Sequence, residues 1–62
     1  MKPDWKDAPE WANYLTQDNN GRWFWHQAPP YFIDYCGAWR SIARWEPTGQ
    51  LGDGSARPER RP

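Results

Sequence analysis

Trp11–His26, WANYLTQDNNGRWFWH, is the stretch whose reading decides the fold. Two extended runs, Ala12–Gln17 and Arg22–His26, flank Asp18-Asn19-Asn20-Gly21, which is how a tight β-hairpin is written in sequence. Asn and Gly accept the positive φ of a hairpin turn, and Asp18 can accept a hydrogen bond from the turn's own amides. Register then decides which side chains meet, because a slip of one residue moves every side chain to the opposite face. A three-residue loop, Asn19–Gly21 with Gly21 left-handed, sets Leu15 opposite Trp25, Tyr14 opposite His26 and Thr16 opposite Phe24. Trp23, Trp25 and Leu15 then share one face. A two-residue Asn20-Gly21 loop would set Trp25 against Thr16 and Leu15 against His26, and the first register is preferred because it joins the apolar residues.

Sixty-two residues make one domain at most, and a chain this short buries only about 60% of the surface it exposes when unfolded. The aliphatic core formers are few: Leu15, Ile33, Ile42 and Leu51. Six Trp, three Tyr and two Phe must therefore supply the core, each able to bury roughly 150 to 250 Å². Eight basic and eight acidic residues cancel, so no net field draws the chain to nucleic acid or to an acidic membrane. The single cysteine, Cys36, cannot form an internal disulfide, which points to a reducing compartment. No apolar stretch has the length of a signal peptide or a membrane span. The expected location is the cytoplasm, with no membrane partner.

Outward from the hairpin, residues 1–10 read as an irregular lead-in arm, with prolines at 3 and 9 opposing a helix. Trp5 and Trp11 are placed to fold back over one face of the sheet. Pro29-Pro30 ends the second strand by removing two consecutive backbone donors. Residues 31–45 read two ways. As strands, Tyr31–Tyr35 and Ala38–Trp45 join near Cys36-Gly37; as a helix, Phe32, Tyr35, Cys36, Trp39, Ile42 and Ala43 share a face. From Pro47 onward the composition, PTGQLGDGSARPERRP, reads as a disordered tail. The divisions are thus a lead-in arm over 1–10, an aromatic β module over 11–46 and the tail over 47–62.

Little here supports catalysis. His26 and Cys36, the only histidine and the only thiol, stand ten positions apart with no residue marked to orient the base. Zinc needs three or four ligands at recognisable spacing, and no phosphate-binding Gly-rich loop or nucleophile elbow is present. The expectation is a non-enzymatic protein with no cofactor and no metal.

Consecutive Trp23, Phe24 and Trp25 point to alternate faces of a thin sheet, so at least one face needs a cover. The arm and the carboxyl-terminal segment can provide it. Alternatively part of the aromatic surface stays open for a partner, since Trp, Tyr and Arg dominate interface energetics. On that reading the candidate partner-binding residues are Trp23, Trp25, Trp39, Arg40 and Arg44. The same aromatic platform, with Arg22 and the basic RPERRP tail, is the basis of an alternative as a single-stranded nucleic-acid binder. Zero net charge and the interspersed Asp18, Asp34 and Glu46 weigh against it.

Two resemblances rest on these residues. Ala8-Pro9, Trp11, Gly21-Arg22-Trp23-Phe24-Trp25 and Trp45-Glu46-Pro47 resemble the WW domain pattern, although Ile33 stands where that pattern has its second Trp. DWKDAPEWANYLTQDNNGRWFWHQAPP followed by Cys36-Gly37-Ala38-Trp39 is similar to a group of very short tailed-phage and prophage proteins without an assigned activity. Their shared pattern is a PEWA segment, a D-x-x-G turn, a W-x-W strand and a later Gly-x-Trp. That resemblance implies the cytoplasm of an infected bacterium and a small accessory protein that binds and modulates a host protein; a virion or assembly component is a separate alternative. The resemblance carries over no site residue.

The fold expected is mainly β: a small antiparallel sheet of three or four strands built on the Trp-rich hairpin, with an irregular arm and a disordered tail. The alternative is α+β, with a helix within 31–45.

Overall fold

The computed structural model describes residues 2–62 as a mainly β chain of six short strands. These are β1 (Tyr14–Gln17), β2 (Arg22–His26), β3 (Tyr31–Ile33), β4 (Ala38–Arg40), β5 (Trp45–Leu51) and β6 (Glu59–Arg60). Four of them form an antiparallel sheet in the order β5-β2-β1-β6, and β3 and β4 form a separate two-stranded sheet.

The β1–β2 hairpin takes the three-residue register: Leu15 faces Trp25, Tyr14 faces His26 and Thr16 faces Phe24. Gly21 holds φ at +92°, and its amide donates to Asp18 O at 2.9 Å while Asp18 N bonds Arg22 O at 2.9 Å. A side chain at position 21 would run into the carbonyl of Gly52. Glycine is required there for both conformation and space.

Leu15, Trp23 and Trp25 accordingly lie on one face, and with Ala12 they form the buried core. Trp5, Ala8, Trp11 and Ala56 cover it, with the rings of Trp5 and Trp25 5.1 Å apart. The arm contains one 3₁₀ turn, Trp5–Asp7, capped by Asp4, whose carboxylate accepts from Lys6 N at 3.0 Å. Trp5 and Trp11 fold back over one face of the sheet, as expected.

Residues 47–62, expected to be a disordered tail, are instead built into the sheet. β5 pairs with β2 across Glu46–Trp25 and Pro47–Phe24, so the division at residue 47 cuts through a strand. The chain then crosses the core face, where Gly52 N donates to Gly21 O at 2.7 Å and Ala56 N to the Gln17 side chain at 2.9 Å. It reaches the far edge as β6, pairing with β1. The order here comes from backbone hydrogen bonds, which low apolar content does not forbid.

Residues 31–45 form strands, not a helix, although Ser41–Arg44 are irregular and β4 stops at Arg40. Trp39 N donates to Asp18 Oδ1 at 2.9 Å and Asn19 N to Gly37 O at 2.8 Å. These bonds fasten the second hairpin to the turn of the first. Between β2 and the segment after β4, His26 is fully buried, its Nε2 2.8 Å from Thr16 Oγ1 and its Nδ1 3.1 Å from Ser41 Oγ.

Candidate interaction surface

Directly opposed residues on the β3–β4 hairpin are Phe32 with Trp39 and Ile33 with Ala38. Strand alternation puts the first pair on one side and the second on the other. Ala38 is buried, so its side is the one docked on the body of the protein. Phe32 and Trp39 form the opposite side, their rings 5.2 Å apart and tilted by 57°. Tyr35, in the turn, is 90% exposed, and Ile42, just beyond β4, is 94% exposed. Tyr31 and Trp45 are also exposed. Trp45 meets Phe24 edge-on at 5.5 Å.

Of the five candidate residues, Trp23 and Trp25 are core, 4% and 5% exposed, and are withdrawn as a surface. The physical reason is the register itself: both share a face with Leu15, and the arm and the 52–57 crossing close over that face. Trp39 and Arg40 are consecutive in β4 and both half-buried. Arg40 Nη1 donates to Trp39 O at 2.7 Å and lies 3.7 Å from Asp18, and its guanidinium sits 5.6 Å from the Trp45 ring centre. Arg44 turns elsewhere, pairing with Glu46 at 2.8 Å and stacking over Trp11 at 4.6 Å.

Tyr31, Phe32, Tyr35, Ile42 and Trp45 were not singled out from sequence. Their signal is subtractive: once Trp23 and Trp25 are assigned to the core with Leu15, the aromatics after Pro29-Pro30 are those left to face solvent.

The buried polar groups set the limits on chemistry. Burial pushes the His26 imidazole below its ordinary range; the Asp18 carboxylate offsets part of this and the Arg40 guanidinium adds to it. A serine activated by histidine needs a carboxylate orienting the far ring nitrogen, but that nitrogen meets the Thr16 hydroxyl. Asp18 is committed to Trp39 N and to Arg40. The Thr16–His26–Ser41 chain joins the four-stranded sheet to the segment that follows β4. Cys36 lies exposed in the β3–β4 turn, away from it. Among the described residues, no three His, Cys, Asp or Glu side chains converge as a metal site, and no helix is long and apolar enough to cross a membrane.

Comparison with protein-family models, with curated proteins and with solved structures finds no match to this chain.

Proposed function

We propose that this chain is a small non-enzymatic accessory protein that binds another protein through the exposed aromatic side chains of its second hairpin. The observation that carries this reading is the exposure of Tyr31, Phe32 and Tyr35 on that hairpin, with Ile42 and Trp45 exposed beyond it, in a chain whose apolar inventory barely furnishes a core. Exposed large apolar side chains are where interaction sites are sought, and aromatic residues are common anchors of an interface. The nucleic-acid alternative draws less support, since Arg40 and Arg44 already engage Asp18 and Glu46 and so offer little to phosphate. The resemblance of the PEWA, D-x-x-G and W-x-W segments to short phage proteins favours a host bacterial protein as partner, met in the cytoplasm.

The test is a pull-down from nuclease-treated bacterial lysate with the intact chain and with Phe32→Ser and Tyr35→Ser, each checked for an unchanged thermal midpoint. One protein retained by the intact chain and lost by both folded variants is the expected result. Capture that disappears with nuclease, or a bound protein that both variants retain, overturns the reading.

A further inference from the structure

The pairing of β5 with β2 is regular from Trp45–His26 to Phe24–Pro47, then jumps to Arg22–Leu51. Thr48, Gly49 and Gln50 therefore stand opposite Trp23 alone, a bulge that carries β5 away from its neighbour. Between them lies a cavity of about 260 Å³ walled by Trp23, Pro47, Leu51 and Gly49, with Arg22 and Gln50 completing it. Gly49 leaves one side open: a side-chain carbon there would meet nothing within 4 Å.

We infer that this cavity is a peptide-binding site that receives one apolar side chain and pairs Arg22 with the carboxylate of an acidic residue next to it. Size limits the occupant, because pockets for whole small-molecule ligands begin at roughly 300 Å³. Pro47 and Leu51 are exposed apolar walls that such a side chain would cover. Charge selects the neighbour. Arg22 is the only charged residue lining the cavity, and among the described residues its guanidinium has no hydrogen bond or ion pair. Asp53, close by in sequence, is turned instead to Ser55, which donates from N at 2.9 Å and from Oγ at 2.6 Å.

A peptide cannot simply add as a further strand. Gln27 N donates to Arg44 O at 2.9 Å, so residues 44 and 46 turn their backbone groups toward β2 and Pro47 falls in the outward-facing series. An outer amide is missing where strand addition needs one, and side-chain insertion is the mode left. A nucleotide base would need an open aromatic face, whereas Trp23 is buried. None of the lining residues belongs to the second hairpin, so this site stands or falls independently of the proposed function.

The experiment is amide NMR of the full chain titrated with acetyl-Ala-Glu-Leu-Ala-amide, its Gln analogue and its Glu-Ser analogue. The Glu-Leu peptide is expected to shift Gly49, Gln50 and Leu51 saturably, about two- to fivefold more tightly than the Gln form, as an exposed ion pair allows. The Glu-Ser form should give no saturable shift. Arg22→Gln, at an exposed position, should equalise the Glu and Gln peptides with an unchanged thermal midpoint. Absence of saturable shifts at the cavity, equal binding of the Glu-Ser peptide, or a Glu preference that survives Arg22→Gln overturns the proposal. Shifts confined to Phe32 and Tyr35 overturn it while leaving the hairpin reading intact.

Discussion

Trp5 Nε1 donates to Glu59 Oε1 at 3.0 Å across 54 positions of sequence, tying the arm to β6 over the core. Lys2 pairs with the same carboxylate, and the Arg61 guanidinium donates to the carbonyls of Pro9 and Ala12 while lying 5.7 Å from the Trp5 ring centre. The cover over Trp25 is thus held by polar contacts at both of its ends.

Glu59→Ala leaves the Trp5 donor without its acceptor and should lower stability by about 1 to 2 kcal/mol. Glu59→Gln keeps an acceptor but loses the charge facing Lys2, so its cost should be under about 1 kcal/mol. The Lys2 hydrogen bond is the largest influence and holds the Glu59 carboxyl below its usual range; burial opposes it, and the Trp5 hydrogen bond adds a smaller lowering. A carboxylate with a depressed folded value stabilises above its unfolded value near 4.5 and loses that contribution as pH falls through the folded value. Urea midpoints at pH 7 and pH 3 should therefore differ less for Glu59→Gln than for the parent chain.

His26 gives a second, separate dependence. Its folded value lies below 6.5 because burial disfavours the imidazolium, so in acid the unfolded chain takes up this proton first. Stability is full above pH 6.5 and falls as pH drops from there to the folded value. Denaturation between pH 7.5 and pH 5 should show a loss that His26→Gln, though less stable at neutral pH, does not show.

Two glycines with similar φ should respond differently to alanine. Gly21 at +92° and Gly49 at +84° both carry backbone conformations that disfavour a side chain. At position 49 that cost stands alone, about 1 kcal/mol. At position 21 the added methyl also meets the Gly52 carbonyl, which breaks the Gly52–Gly21 hydrogen bond, and the loss should exceed about 2 kcal/mol. Thermal melts of Gly21→Ala and Gly49→Ala decide this, and equal midpoints would contradict it.

Pro47 keeps the outer side of β5 short of a donor, while Pro58 and Pro62 flank β6. Unpaired edges invite pairing between chains. Pro47→Thr supplies the missing outer amide and a β-forming side chain, and should promote self-association relative to the parent chain at equal concentration. Sedimentation velocity over a tenfold concentration range is the measurement.

Within Trp11–His26 the sequence determined a great deal. Asp18-Asn19-Asn20-Gly21 admits few turns, and only one register puts Leu15 with Trp23 and Trp25, so turn, register and core face could be read from local chemistry and period-two alternation. Trp5 and Trp11 as covering residues followed from the same need to close that face. The exposed aromatics were less legible: Trp39 and Arg40 were named as candidates, whereas Tyr31, Phe32, Tyr35, Ile42 and Trp45 stand out only after the core has claimed Trp23 and Trp25. Tertiary structure alone decided the fate of residues 47–62. Gly52, Ala56 and Arg61 are ordered by bonds from their backbone amides to Gly21, Gln17 and Asn13, partners 31 to 48 positions away, and composition carries no trace of a backbone group's distant partner. The choice of strands for residues 31–45 belongs there too, because Asp18 and Asn19 hold that hairpin from outside it.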